Sequence, residues 1–141
     1  MSTNSHSIRF RVRYAETDQG GIAHHSIYPV WFEMGRVEMM RQTGITYRDM
    51  ELEGFFFVIV ELQIKYRRPA RFDEELELTT KLAAGTKVTM EHEYELHRIG
   101  DEEPLATGKS LVACTNRTGK PCRIPAAAFD AINRRYPLVQ K

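Results

Sequence analysis

The chain has 141 residues, about the length of one domain of ordinary size. Charged residues make up 28% and hydrophobic residues 42%, a balance typical of a folded globular protein rather than a disordered one. The formal net charge is +1, from 20 basic and 19 acidic residues, so the overall charge provides no attraction to nucleic acid or to membranes. We therefore expect a single domain over residues 1–141 with no nucleic-acid partner.

The amino-terminal stretch MSTNSHSIRF has no basic segment followed by an apolar run, so the sequence predicts no secretory signal peptide. No uninterrupted apolar segment approaches the roughly 20 residues that span a bilayer. Cys114 and Cys122 are the two cysteines, too few for a disulfide framework, and they favour a reducing environment. These features together predict a cytoplasmic protein without a membrane span.

Five segments alternate between apolar and polar residues with the period of two that half-buried strands show. The predicted core-facing residues of the first, SIRFRVRY, are Ile8, Phe10, Val12 and Tyr14. Those of the second, FFVIVELQIKYRR, are Phe56, Val58, Val60, Leu62, Ile64 and Tyr66. The segments EELELTTKLA, KVTMEHEYELHR and PLATGKSLVACTN complete the set, and Gly85 is predicted to form the turn between the third and fourth strands.

A long helix is predicted between the first two strands, from about Ile27 to Thr43. Ser26 is a candidate N-cap, and Pro29 lies in the first turn, where a missing N–H is harmless. The helix is apolar over most of its circumference, so we expect it to be buried on more than one side. Gly35 in its interior is unfavourable for a helix, and close packing of the backbone on the sheet would compensate.

A second, short helix is predicted from Ala126 to Arg135, directly after Pro125. The order of elements is then a strand, a long helix and a four-stranded antiparallel meander, which predicts an α+β fold. A sheet of this size rarely encloses so apolar a helix alone. A partner subunit that continued the sheet would cover the helix and remove an open edge, so we expect at least a homodimer.

The stretch YAETDQGGIAHHSIYPVWFEMGR joins the first strand to the long helix. It combines Asp18, a Gly-Gly turn at 20–21 and a helix start, where free N–H groups and the positive end of the helix dipole point outward. This arrangement suits transfer of an acyl group to water, with the helix start as an oxyanion site. The alternative is structural, because Asp18 could simply form an Asx-turn or cap the helix.

Other polar residues have simpler interpretations. His24 and His25 could be exposed loop residues, and adjacent histidines seldom bind one metal ion well. His92 and His97 fall on opposite faces of a predicted strand, which is unsuitable for a shared metal, and His92 is interpreted as a satisfied core histidine. Glu33 and Arg36, three positions apart on the helix, could be an ion pair. We predict no metal site.

The stretch YAETDQGGIAHHSIYPVWFEMGR resembles the start of the 4-hydroxybenzoyl-CoA thioesterase family, and in particular its YbgC-type acyl-CoA thioesterase branch. The matching positions are Tyr14, Thr17, Asp18, Gly21, His25 and Tyr28, followed by Phe32, Glu33 and Arg36. The later segments IKYRRPARFDEEL and RTGKPCRIP are also similar to that family. The resemblance extends over nearly the whole chain, from about Arg9 to Phe129.

This resemblance implies a hot-dog fold, in which a five-stranded antiparallel sheet wraps around a long central helix, with a short C-terminal helix. It implies dimers or dimer-based tetramers with active sites between subunits. Asp18 is then the catalytic carboxylate, as a general base or as a nucleophile, and the backbone N–H near His25 polarises the thioester carbonyl. His25 and Tyr14 would position water or the carboxylate. No metal or resident cofactor is implied, because coenzyme A enters as part of the substrate.

The predicted substrate-binding residues are Gly21, Tyr28, Phe56, Phe57, Arg67 and Arg68. The rings at 55–57 are bulky and are expected to limit the acyl group to a short or an aromatic one. Arg67 and Arg68, together with Arg71, could hold the coenzyme A nucleotide or could be a solvated strand end. In two departures from the family pattern, Ile27 replaces a frequent Asn and His24 replaces a frequent aromatic residue.

Three functions remain open at this point. The first is an acyl-CoA thioesterase. The second is a non-catalytic module that binds acyl thioesters or an acyl-carrier protein, although simple binding does not require the carboxylate of Asp18. The third is a hot-dog dehydratase, which Glu33 on the long helix supports only weakly.

Overall fold

The computed structural model describes residues 4–137. Its strands are β1 (Ser5–Arg11), β2 (Phe56–Tyr66), β3 (Glu75–Gly85), β4 (Thr89–Arg98) and β5 (Pro104–Thr115). Its helices are α1 (Tyr28–Arg41), α2 (Tyr47–Leu52) and α3 (Ala126–Arg135). The predicted α+β architecture is confirmed: one five-stranded antiparallel sheet, a long helix and a short C-terminal helix. Helix α2 was not predicted; Thr46 caps it and accepts a hydrogen bond from the Asp49 N–H at 3.0 Å.

The strands lie in the order β1-β3-β4-β5-β2. Strands β3, β4 and β5 form a meander, but β2 pairs with β5 and not with β3, so the predicted four-stranded meander is wrong at its first step. The period of two identifies a strand but carries no information about its neighbour. The chain between β2 and β3 therefore crosses from one edge of the sheet to the opposite half, where β3 lies between β1 and β4. Strand β2 is left as an edge strand.

A β-bulge in β2 changes which of its residues face the core. Phe57 and Ile59 are paired with Cys114 and Val112, whereas after the register shift Leu62 is paired with Ser110. Because one extra residue reverses the alternation, Phe57 and Ile59 share a face with Leu62. The prediction that Phe56 and Val58 lie on that face is therefore wrong, whereas Leu62, Ile64 and Tyr66 do share one face.

Strand β1 ends at Arg11, earlier than predicted, and Tyr14 does not face the core. A 3₁₀ turn over Tyr14–Glu16 redirects the chain, so that Tyr14 is 78% exposed while Glu16 is 5% exposed. The strand period predicted the burial of Val12 correctly but could not be extrapolated through the turn.

Helix α1 is preceded by a 3₁₀ turn over His25–Ile27, and its N-terminal cap differs from the prediction. The cap of this turn is His24, whose Nδ1 accepts a hydrogen bond from the Ser26 N–H at 3.1 Å. Ser26 is therefore not the N-cap. Pro29 lies in the first turn of α1, as predicted.

Close packing at Gly35 is confirmed. A Cβ atom there would lie 2.3 Å from Thr80 Oγ1 and 2.9 Å from Leu78 Cδ2, both on β3. Only glycine lets α1 approach the sheet this closely. Trp31 and Phe32, one turn earlier, are fully buried against the same sheet. Among residues 4–137, no helix is both long and apolar enough to cross a membrane.

Candidate active site

A surface groove of ≈ 360 Å³ lies where the start of α1 meets the end of β2. The residues that line this groove are Asp18, Ile22, Ala23, His25, Tyr28, Tyr66, Arg67, Arg68 and Pro69. It contains five of the residues that the sequence singled out, namely Asp18, His25, Tyr28, Arg67 and Arg68. The loop, the helix start and the strand end converge there although they are far apart in the chain.

Asp18 stands at the base of a tight hairpin. Its N–H donates to the Ile22 carbonyl at 2.9 Å, and its carbonyl accepts the Gly21 N–H at 3.1 Å. Gly21 adopts φ +78°, which favours glycine. The Gly20 N–H donates to Asp18 Oδ1 at 2.8 Å. The Asx-turn considered as an alternative is therefore present, and it orients a carboxylate that remains exposed at the groove.

The hairpin is anchored by Glu16, which the sequence analysis did not select. Its buried carboxylate accepts hydrogen bonds from the Arg13 N–H at 2.7 Å and from Trp31 Nε1 at 3.1 Å. Its carbonyl accepts the His24 N–H at 2.8 Å. Glu16 thus ties the loop that carries Asp18 to the body of α1. Two features of the sequence could have pointed to this role of Glu16: a carboxylate two positions before Asp18, and the single Trp of the chain on the predicted helix.

The turn before α1 offers the groove a backbone donor at His25. The Ser26 N–H is taken by His24 Nδ1 and the Ile27 N–H by the His24 carbonyl at 3.0 Å. In the described part of the chain, the hydrogen bonds provide no acceptor for the His25 N–H. Because His25 lines the groove beside the positive end of the helix dipole, this N–H can stabilise a negative oxygen.

Tyr66 and Tyr28 hold the helix start from the side of the sheet. The Tyr66 hydroxyl donates to the His25 carbonyl at 2.8 Å. The two tyrosine rings meet edge to face, with their centroids 4.9 Å apart and an interplanar angle of 85°. Burial raises the pKa of Tyr28, partly offset by a hydrogen bond with the backbone of Ala70. The sequence placed Tyr66 on a strand face but did not identify its contact with His25.

The neighbouring arginines differ in their partners. Arg68 pairs with Asp101 at 2.9 Å and also donates to the Glu103 carbonyl, so its guanidinium is bound to the turn between β4 and β5. Arg67 is exposed, and no side-chain partner of it is found in residues 4–137. Arg67 is therefore the more available cation at the groove.

Four predicted residues lie outside the walls of this groove. Tyr14 packs its ring on Phe72 with centroids 5.4 Å apart, and Gly21 shapes the hairpin without lining the groove. Phe56 and Phe57 are at the opposite end of β2, about 30 Å from Tyr66 at ~3.3 Å per residue. Phe57 packs on Tyr47, with ring centroids 5.5 Å apart.

A second group of polar residues is buried beneath the middle of α1, and we call it the buried polar cluster: Arg36, His92, Tyr94 and Ser110. Arg36 donates to the Tyr94 hydroxyl at 2.9 Å, and that hydroxyl is hydrogen-bonded to Ser110. The predicted ion pair with Glu33 is long, at 4.0 Å. His92 is in the core as predicted, but its Nδ1 has no hydrogen-bond partner among the described residues. Burial, and then the Arg36 guanidinium, lowers the pKa of His92 to about 3.

A model of the thioesterase-like superfamily matches residues 12–132 of this sequence. The chain belongs to that superfamily. The match includes the Asp18 hairpin, α1, the whole sheet from β2 to β5 and most of α3.

Two curated relatives agree with this family. The chain is 32% identical over 117 residues to a Haemophilus influenzae protein named acyl-CoA thioesterase YbgC, covering 82% of this chain and 85% of that protein. It is 30% identical over 119 residues to the Bacillus subtilis protein YneP, covering 84% and 86%.

Solved structures agree on the hot-dog fold of this superfamily. Protein TT1821 from Thermus thermophilus has a TM-score of 0.85 and 37% identity, covering 92% of this chain and 98% of that one. A DHNA-CoA thioesterase from Staphylococcus aureus has a TM-score of 0.83 and 25% identity, covering 96% and 97%.

Proposed function

We propose that this thioesterase-superfamily protein hydrolyses an acyl-CoA thioester to the free acid and coenzyme A. The observation that carries the proposal is the groove, which brings the Asp18 carboxylate together with the His25 N–H at the start of a helix, for which residues 4–137 provide no acceptor. A base or nucleophile and an oxyanion donor are the two groups that acyl transfer to water needs. The relatives named as acyl-CoA thioesterases support the same reaction.

In the proposed mechanism, the thioester carbonyl oxygen accepts the His25 N–H. Asp18 either removes a proton from the attacking water or attacks the carbonyl carbon itself to form an anhydride that water then opens. In both cases the C–S bond breaks and the coenzyme A sulfur leaves as a thiolate that takes up a proton. The His25 side chain, in the same groove, would help position the water. The proposed mechanism requires neither a metal ion nor a resident cofactor.

A homodimer formed through the β2 edges would complete the site. Within the described part of the chain no strand pairs with the outer edge of β2, whose exposed residues include Val58, Ile59, Val60 and Leu62. A long apolar edge of this kind invites pairing with another strand. Antiparallel pairing of two β2 strands about a two-fold axis at Val60 would bring Phe56 and Phe57 of the partner subunit opposite Ile64 and Gln63, two to three residues from Tyr66. The proposed acyl-binding rings would then reach Asp18 from the second copy.

We propose a short-chain or aromatic acyl group for this site. The rings at positions 56 and 57, delivered from a second copy, would shorten the groove. The structural neighbour from Staphylococcus aureus, at 25% identity, is named for an aromatic acyl-CoA. Arg67, exposed at the rim, would attract a phosphate of coenzyme A.

The first experiment measures thiol release from short aliphatic, long aliphatic and aromatic acyl-CoAs. We expect Asp18→Asn to lose a factor of about 10² or more in kcat, because general-base or nucleophilic chemistry is removed. Asp130→Asn, on the exposed face of α3 and outside the groove, is the matched control and should keep wild-type rates. A wild type that binds acyl-CoA but hydrolyses none would favour the binding-module function instead.

The proposed dimer is tested with Val60→Lys, which places a charge in the middle of the exposed edge. Light scattering with size exclusion should show a dimer for the wild type and a monomer for the variant, with hydrolysis lost together with the dimer. A variant that remains dimeric and active would show that β2 is not the interface.

A further inference from the structure

Tyr66 joins the edge strand to the helix start through one hydrogen bond. Its hydroxyl donates to the His25 carbonyl at 2.8 Å, a contact between residues 41 positions apart in the chain. Its ring stands edge to face on Tyr28, the first residue of α1. The hydrogen bond falls on the 3₁₀ turn that presents the His25 N–H to the groove, and the ring contact falls on the residue directly after that turn.

The Tyr66 hydrogen bond lies on the peptide that follows His25, whereas the peptide that carries the His25 N–H is held through the His24 carbonyl. The neighbouring residue His24 is fixed at its N–H by the Glu16 carbonyl and at its own carbonyl by the Ile27 N–H, at 2.8 and 3.0 Å. His25 itself is exposed and packs its imidazole on that of His24, with ring centroids 4.3 Å apart. Among the described residues, the Tyr66 hydroxyl is the one side-chain group that binds the His25 backbone.

An oxyanion donor is useful only if it is aimed before the reaction begins. The stabilisation of a developing negative charge depends on donors that are preorganised at hydrogen-bond distance, because reorientation during the reaction costs free energy. A residue that fixes the peptide next to the donor therefore affects the transition state more than it affects ground-state binding.

We propose that Tyr66 is a positioning residue for hydrolysis: by holding the His25 carbonyl, its hydroxyl aims the His25 N–H at the thioester oxygen. This inference rests on the proposed thioesterase function. The hydroxyl takes no proton and forms no bond to the substrate in this role. The hydroxyl makes one hydrogen bond to a backbone carbonyl, and a single bond of this kind contributes only modestly to the free energy of unfolding, so little stability depends on it.

The test compares two Tyr→Phe substitutions that each delete one hydroxyl bound to a backbone carbonyl. Tyr66→Phe removes the bond to His25, and Tyr136→Phe removes the 3.0 Å bond to the Met39 carbonyl at the other end of α1. We expect Tyr66→Phe to lower kcat about tenfold with KM within about twofold, part of the 10²–10³ that a whole oxyanion donor provides. Its melting temperature should stay close to that of the wild type. Tyr136→Phe, which is buried, should lose stability but keep kcat.

A second readout does not depend on activity. Hydrogen–deuterium exchange of the peptides that contain residues 25–27 should be faster in Tyr66→Phe and unchanged in Tyr136→Phe. An unchanged kcat in Tyr66→Phe would overturn the inference, as would a rise in KM that accounts for the whole loss. If the wild type hydrolyses no acyl-CoA, the proposed function fails by itself. Exchange then decides on Tyr66, because equal exchange rates in the variant and the wild type would refute any positioning role.

Discussion

The groove and the buried polar cluster lie along the same helix, one at its start and the other beneath its middle. Their polar groups differ in exposure and in hydrogen-bond partners. At the groove, Asp18 and His25 are exposed and are fixed by hydrogen bonds to or from the backbone. In the buried polar cluster, Arg36 and His92 are 6% and 4% exposed and are surrounded by hydroxyls and apolar side chains. The contrast shows that, within residues 4–137, a polar group with a strongly lowered pKa, His92, is in the core and not at the candidate site.

A strongly shifted pKa often marks a catalytic residue, but it also arises wherever a titratable group is buried without a charged partner. His92 is such a case, because burial is the largest cause of its low pKa. The chemistry proposed for the groove would depend on orientation, which hairpin geometry and helix capping provide, and not on a buried charge. The candidate site is therefore recognised from backbone geometry.

The largest expected effect on stability concerns Glu16. Its side chain is buried, as those of the buried polar cluster are, but it holds the hairpin that carries Asp18 at the groove. Glu16→Ala leaves Trp31 Nε1 and the Arg13 N–H without their acceptor, and we expect a loss of about 3 kcal/mol in the free energy of unfolding. Activity should fall as well, because the Asp18 hairpin loses its anchor. Urea denaturation of Glu16→Ala and of the exposed control Glu93→Ala measures this. A loss as small as that of the control would mean that the hydrogen bonds of Glu16 do not anchor the hairpin.

The next effect is a dependence of stability on pH that arises in the buried polar cluster. An unfolded histidine has a pKa of about 6.5, whereas folded His92 has a pKa of about 3. Well above pH 6.5 His92 is neutral in both the folded and the unfolded state, and its contribution to stability is fully present. As the pH falls below this value, the unfolded chain binds a proton that the folded chain does not, so stability decreases by about 2 kcal/mol between pH 7 and pH 5.

Substitution of His92 isolates this contribution. We expect His92→Asn to show a flatter stability profile between pH 7 and pH 5, measured by urea denaturation at several pH values. His97→Asn, on the opposite face of β4, is the control and should retain the wild-type slope. If both variants had that slope, His92 would not be the group that titrates.

The smallest expected effect separates the two arginines at the rim of the groove. Arg67→Met should raise KM for acyl-CoA about fivefold, equivalent to about 1 kcal/mol, because a free cation facing a phosphate is removed. Arg68→Met should change KM less than twofold, since Asp101 already holds that guanidinium. Added salt should reduce the effect at Arg67. Equal KM values for the two variants would argue against phosphate binding at Arg67.

Local patterns in the sequence determined much of this protein. The period of two located the strands, Pro125 marked the start of α3, and Gly35 indicated where the helix touches the sheet, because each of these depends on residues close together in the chain. The motif from Tyr14 to Arg36 brought Asp18 and His25 into consideration, and the structure places both in one groove. Tyr14 was misplaced because the alternation does not continue through a 3₁₀ turn.

The tertiary structure alone decided the features that depend on contacts between distant residues. The pairing of β2 with β5, the bulge that turns Phe57 inward and the burial of Glu16 against Trp31 leave no periodic signal in the sequence. The same holds for the hydrogen bond from Tyr66 to His25, which spans 41 positions. Periodicity describes which face a residue occupies within its own element, whereas the partner across the interior is set by how the elements pack.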